Sequence, residues 1–475
     1  MHMSWLIAIV CAGFVAGVFV AQYVSCFFFT TLPCLIVSFI LIFMVLWRRH
    51  LYLIVILVFG GMLFGLWRGS LLQTDLAQFK PLYGKTVQFE GVVKDDIDVD
   101  ASGMGVIRLG NLRLGQKNLS GSIWVTADAA EAKRGDYLLI QGKLTDGFGN
   151  FSGVMYRAKV EKIIHPQPGD VARVLRDWFA DAVRKVIPEP ESSLGVGFLV
   201  GQRRSLPTDL VEALQMAGLT HIVVASGYNL TILVRLTRRL FFKVSKYLAA
   251  LSASAMIAAF IAITGLSPSM FRAGLVTGLS LAAWYYGRKF HPFVLLLIAM
   301  AVTVLVNPSY VWGDLGWQLS FASFAGVMIV APLLQDYFFG KEKPGIVLQI
   351  LGETVSATLM TAPILIMSFG QLSNVSIISN LLILPFVPLA MLLTFVAGVA
   401  GLFLPSIAGL LALPATWLLR YMVDVTKYLA ALPWAISKVS LSWLVVAICY
   451  ALIFSSCYYM WRKSKLDLGE VNLVE

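Results

Sequence analysis

Charged residues are scarce in this 475-residue chain. Asp, Glu, Lys and Arg make up 13% of it, about half the share usual in a soluble domain. Hydrophobic residues reach 58%, with a mean hydropathy of +0.80. That balance excludes an ordinary soluble enzyme. Cysteine is also sparse: Cys11, Cys26, Cys34, Cys449 and Cys457 lie in or beside apolar runs and form no CxxC pair. The five histidines are scattered, and no H-E-x-x-H occurs. No metal or other cofactor is therefore expected. Gly84-Lys85-Thr86 ends like a P-loop, but the position of the required earlier glycine holds Phe79, so no nucleotide-driven motor is expected in this chain. No small-residue cleavage site follows the first apolar run, which reads as a retained span.

What is present is a series of uncharged runs long enough to cross ~30 Å of hydrocarbon. Residues 4–25, 35–47 and 51–67 give three. Arg48, Arg49 and His50 mark the turn between the second and third as cytoplasmic, so the segment that follows is expected outside. Residues 70–168 change character. Apolar and polar residues alternate over 86–96, 105–115, 121–128, 135–144 and 155–163, with Gly, Asp and Asn turns between. Five short strands fit an extracytoplasmic OB-like barrel, and any small antiparallel sheet fits nearly as well. Its Lys and Arg barely outnumber its acids, so no basic stripe argues for a tight DNA clamp. Cys26 and Cys34 flank a short loop; buried free thiols and a disulfide both fit them.

Residues 169–192 carry an amphipathic helix, 170–187, expected in the membrane interface. Val171, Val174, Leu175, Trp178, Phe179, Ala182, Val183 and Val186 make its apolar face, with Arg173, Arg176 and Asp177 on the other. Residues 193–461 are apolar again, and 462–475 form a basic cytoplasmic tail. Basic clusters at Arg235–Lys246, Arg288–Lys289, Lys341–Lys343 and Arg462–Lys465 all fall on one side if Arg420, Asp424 and Lys427 belong to a surface helix. The fold expected is a polytopic α-helical membrane protein of about a dozen segments, some broken, with a small β-barrel domain. The net charge of +11 fits cytoplasmic loops and equally a path for a polyanion.

The densest polar constellation is LQMAGLTHIVVASGYNL, 214–230. Polar groups within a bilayer are costly and face a partner or a water-filled path. Gly227 can break the helix there, which is tolerated where a cavity is lined. Gly218, Leu219, His221, Ser226 and Gly227 resemble the signature of the ComEC competence proteins. Gly-rich 194–207, Pro268, Ser269, Arg272 and Ala273, then Asn307, Pro308, Asp314, Gly316, Trp317, Gln318, Leu319, Ser320 and Phe321, and finally 369–385 with Gln371 and Asn380, resemble further elements of that family in the same order. The resemblance covers roughly 1–461 and is strongest over 194–385.

It implies a channel passing single-stranded DNA inward across the cytoplasmic membrane during natural transformation, not an enzyme. The path would involve His221, Ser226, Gly227, Tyr228, Asn229, Ser269, Arg272, Asp314, Trp317, Gln318, Phe321, Gln371 and Asn380. Arg side chains can replace water around phosphates, and aromatic faces accept bases without reading sequence. Arg272 is equally suited to a structural ion pair with Asp314. His221, Asn229 and Asn380 suit helix packing as well as a lining. Many family members continue into a metallo-β-lactamase-like nuclease whose ligand set is not found here. The resemblance then implies a separate nuclease, an extracytoplasmic DNA receptor, and a cytoplasmic ATPase or single-strand-binding protein, besides membrane lipid. A transporter or flippase of a small or lipid-linked substrate is the rival reading. An intramembrane hydrolase using Ser226 and His221 ranks last, since the two lie about 500° apart around a helix.

Overall fold

The computed structural model describes residues 3–24, 27–48, 53–99, 104–128, 131–167, 169–202, 206–223, 227–265, 268–287, 291–340 and 344–464. The chain divides into two compact units. One comprises Met1–Arg173 with Leu297–Trp317, the other Val174–Leu296 with Gln318–Glu475.

In hydrocarbon every backbone N–H and C=O must be satisfied inside its own segment, so the uncharged runs become helices. Eight helices among the described residues are long and apolar enough to span: Met3–Ala21, Ile54–Leu82, Lys246–Thr264, Leu315–Phe339, Ile346–Phe369, Ser376–Phe403, Pro405–Ala430 and Trp443–Ser464. Leu32–Trp47, Glu191–Val200 and Pro292–Val306 are shorter apolar helices. The chain is thus a multi-pass membrane protein. The dozen expected segments are approached only by counting these shorter ones.

One expectation is corrected. Arg420, Asp424 and Lys427 do not mark a separate surface helix, because Pro405–Ala430 is one continuous helix of spanning length. The charges are tolerated because two have partners. Arg420 donates to Glu191 at 2.9 Å and Lys427 to Asp209 at 2.7 Å.

In the first unit, the Met3–Ala21 and Ile54–Ala77 helices cross backbone to backbone. A Cβ at Gly17 would stand 2.1 Å from the Met62 carbonyl oxygen, and one at Gly65 2.1 Å from that of Phe14. Gly13, Gly17, Gly61 and Gly65 recur four residues apart on the facing sides, the small-residue spacing by which helices associate without a hydrophobic driving force. Cys34 is a buried free thiol, whereas Cys26 lies outside the described residues.

The β domain has six strands: β1 (Thr86–Val93), β2 (Asp98–Val99), β3 (Gly105–Leu114), β4 (Lys117–Ala127), β5 (Tyr137–Thr145) and β6 (Gly153–Ile164). Their order is β1-β5-β6-β4-β3-β2, and an added β1–β3 pairing closes the sheet. The β4–β6 contact is parallel and the other pairings are antiparallel. Five strands form a closed OB-like barrel, with β2 a two-residue addition on β3. The five strands read from alternation correspond to these five. Phe89, Ile107, Ile123, Leu138, Ile140 and Leu144 fill the interior, as the period of two requires. Gly84 leads into strand β1 and not into a helix, so the P-loop likeness has no structural context.

The amphipathic helix spans Val171–Val186. Its apolar face is divided. Phe179, Val183 and Val186 pack into a core with Leu194, Val387 and Leu419, while Val171, Val174, Leu175 and Trp178 stay exposed. Arg176, expected on the polar face, is buried and bonded to Asp177 at 3.0 Å. Burial of this cation is offset by its carboxylate neighbour.

Candidate functional site

Three separated motifs meet at Arg272 in the second unit. The Pro268–Tyr285 helix carries it in its second turn, and its side chain is 9% exposed. Its Nε donates to Ser320 Oγ at 2.6 Å. Ser320 also lies 3.3 Å from Ser269 Oγ. The guanidinium carbon sits 5.8 Å from the Phe321 ring centroid and 5.5 Å from that of Phe324. Two aromatic faces attract a cation through their quadrupoles without neutralising it. A Cβ at Gly227 would stand 3.1 Å from Ala273 Cβ and 3.3 Å from Arg272 Nη2. Glycine at 227 thus permits the close approach of this helix start to the Arg272 turn.

Arg272 and Asp314 do not form the ion pair considered from the sequence. Arg272 takes Ser320, and Asp314 accepts from Asn150 Nδ2 at 3.0 Å and from the Trp317 amide at 2.7 Å. The second bond caps the Leu315–Ala325 helix in the manner favoured by Asp. Trp317 is buried, and its Nε1 donates to Thr303 Oγ1 at 2.9 Å. The division between the two units falls between Trp317 and Gln318, inside one motif.

Asn229 is fully buried, and its Nδ2 donates to the carbonyls of Phe198 at 3.1 Å and Ile222 at 3.3 Å. It therefore staples helices together. Asn380 is buried, with no hydrogen-bond partner for Oδ1 among the described residues. Its neighbour Ser379 holds the Ala217 carbonyl at 2.6 Å. Tyr228 is exposed and reaches the Leu384 carbonyl at 3.5 Å. His221, on the four-residue Thr220–Val223 helix, is exposed, and so is Gln371 in the short Gln371–Ser373 strand. Gln318 is half-buried. Ser226 lies outside the described residues.

The motifs are packed closely. A cavity lined by Leu194, Phe198, Leu214, Leu219, Ile222 and Met422 holds about 10 Å³, at the limit for one water molecule. A larger one of about 420 Å³, lined by Tyr337, Leu452, Ser455, Ser456, Tyr459 and Met460, lies among other residues.

Sequence reasoning missed Phe324 and Asn150. Phe324 stands three residues after Phe321, a helical spacing that places both rings on one side, so a signal existed. Asn150 is a turn residue with no pattern to mark it.

The linked motifs and the broken helices around Arg272 agree with the comparison to known families. Residues 198–463 match the family described as "Competence protein". The chain belongs to the ComEC family of competence proteins. It is 26% identical over 334 residues to "ComE operon protein 3" of Bacillus subtilis (strain 168), covering 63% of this chain and 41% of that protein. It is 23% identical over 333 residues to "Uncharacterized protein YcaI" of Escherichia coli (strain K12), covering 61% of this chain and 42% of that one. The chain thus spans about two-fifths of the length of these curated relatives. No solved structure matches it.

Proposed function

We propose that this ComEC-family chain forms the membrane passage through which single-stranded DNA is imported in natural transformation. The observation that carries this reading is the convergence on Arg272 of motif residues from Gly227, Ser269 and the Ser320–Phe321 pair. A cation beside π-faces, on helices broken by Gly and Pro, suits a flexible chain of phosphates and bases. Residues 193–461 supply the passage and the barrel stands outside the cytoplasm, with the C-terminus inside. The strand arrives from an extracytoplasmic DNA receptor and a separate nuclease. It is pulled by a cytoplasmic ATPase or a single-strand-binding protein. His221, Tyr228, Gln318, Gln371 and Asn380 are further lining candidates. The tight packing requires the helices to part for a strand to pass.

The test is uptake of labelled DNA and transformation frequency in a competent host. Deletion of the gene abolishes both under this reading, and complementation with Arg272→Ala, His221→Ala or Asp314→Ala restores them poorly. Unchanged transformation in the deletion strain overturns it.

Helices broken by Gly and Pro also suit a second reading, a transporter or flippase opening around a small or lipid-linked substrate. Proton-coupled flux of a small molecule through reconstituted protein, with no dependence on DNA, decides for it.

A further inference from the structure

Within the second unit, the Ala331–Phe339 and Trp443–Ser464 helices leave a groove between them. It is the space of about 420 Å³ lined by Tyr337, Leu452, Ser455, Ser456, Tyr459 and Met460. Sites for small ligands run to roughly 300–1,000 Å³. The lining residues of the Trp443–Ser464 helix recur at helical spacing and so make one stripe. Ser455 and Ser456, at its centre, are small and exposed, and among the described residues their hydroxyls have no hydrogen-bond partner. A hydroxyl left so in hydrocarbon is costly.

The stripe ends in charge. Arg462 and Lys463 follow on the last turn of the same helix. Lys463 Nζ lies 5.6 Å from the Tyr337 ring centroid and 5.8 Å from that of Tyr459. It therefore stands between two residues that line the groove. The ring faces hold the cation without neutralising it. Among the described residues neither Arg462 nor Lys463 has a carboxylate partner, and Asp336 does not line the groove.

The dimensions and surroundings fit one kind of occupant. The helix climbs about 16 Å from Leu452 to Lys463, close to the ~15 Å of hydrocarbon in one leaflet. Leu452 and Tyr459 are 63% and 58% exposed, so the groove opens to what surrounds a spanning helix, which is lipid. Tyr458 and Trp461, both exposed, stand at the charged end as interfacial aromatics do. A free anion or a DNA strand matches the cations but not the apolar floor of Leu452 and Met460.

We propose that this groove binds one anionic phospholipid. The phosphate meets Lys463 and Arg462. The ester oxygens accept from Ser455 and Ser456, one helical turn deeper than Tyr459, and an acyl chain runs past Leu452. Val446 and Met460 are the buried residues of the described Trp443–Ser464 helix, so a seated lipid fastens an element with few contacts of its own. The site is independent of the import reading above.

The test uses the full chain purified in dodecyl maltoside, which contains no phosphate. Retention of phosphatidylglycerol and of zwitterionic phosphatidylethanolamine is measured by native mass spectrometry. The proteins are the wild type, Arg462→Gln, Lys463→Gln, the double variant, and Ser456→Trp, which fills the groove. A cation at a membrane surface is worth roughly fivefold in affinity for anionic lipid, so the double variant is expected to hold phosphatidylglycerol about thirtyfold more weakly. Its hold on phosphatidylethanolamine hardly changes, whereas Ser456→Trp loses both. Added phosphatidylglycerol raises the thermal midpoint of the wild type and not that of Ser456→Trp. Should the double variant fail to fold, the single substitutions and Ser456→Trp carry the test. Equal retention of the two lipids by the wild type overturns the site, and so does unchanged phosphatidylglycerol retention in the variants. Displacement of phosphatidylglycerol by dT20 from the wild type, lost in the double variant, gives the groove to nucleic acid and overturns the lipid assignment. A wild-type dimer that Ser456→Trp makes monomeric, with lipid retention unchanged, gives it to a second copy and does the same.

Discussion

Asn150, in the loop between β5 and β6, donates from Nδ2 to Oδ2 of Asp314 at 3.0 Å, across 164 positions of sequence. The backbones meet beside it. A Cβ at Gly313 would stand 2.9 Å from the Gly149 Cα. Asp314 itself caps the helix that carries Trp317. A barrel loop and a competence motif are therefore tied by one polar contact. Removing a hydrogen bond to a charged group costs about 1.5–3 kcal/mol. Asn150→Ala is expected to lower stability by that order in a thermal unfolding assay. A double-mutant cycle with Asp314→Asn checks the assignment, and a coupling of zero sinks it.

The crossing of the first and third helices leaves no room for side chains at Gly17 and Gly65. Forcing bulk into a packed contact costs about 1–3 kcal/mol. Gly65→Leu is expected to separate the pair and expose the Ile54–Ala77 helix to protease in detergent. Unchanged protease resistance refutes this arrangement.

Asp170 gives a pH signature. Burial raises its pKa, but the hydrogen bond and charge of Arg134 at 2.7 Å, with the Arg173 amide at 3.0 Å, outweigh burial and leave the carboxyl below its ordinary value. A depressed carboxyl stabilises the fold above the unfolded-state pKa, and that contribution is lost as pH falls through the folded value. Stability is thus expected to fall in the acid range below about pH 4. Asp170→Asn removes that part of the slope and leaves stability lower at neutral pH. A variant with the wild-type acid profile contradicts the assignment.

Trp178 is 51% exposed beside Val171, Val174 and Leu175. A helix with one such apolar side lies at the acyl boundary. In liposomes, lipids brominated near the headgroup are expected to quench a Trp178-only variant more strongly than lipids brominated at chain ends. Equal quenching by water-soluble iodide with and without lipid excludes this placement.

The sequence carries unequal signals for these features. Long uncharged runs and period-two alternation announced the membrane helices and the barrel, since bilayer and barrel interior each act on every residue of a segment. The four-residue spacing of Gly13, Gly17, Gly61 and Gly65 stands in the chain but was passed over, because glycines inside apolar runs draw no attention until the facing helix is known. The partner of Arg272 was not. Asp314 offered the charge, but Ser320 lies on the adjacent helix face, and a short hydroxyl gives no pattern in the chain. Arg420 misled because its partner Glu191 is 229 positions away. A surface helix was expected there because it keeps every basic cluster on one side of the membrane.

The barrel joins its first strand back to its third-numbered one and so has no unpaired long edge. A wall sealed by its own backbone gives neighbouring chains nothing to extend. Residues 70–168 also hold no cysteine, so the domain matures without an oxidant or a disulfide-forming enzyme. Reducing agents should leave it unchanged.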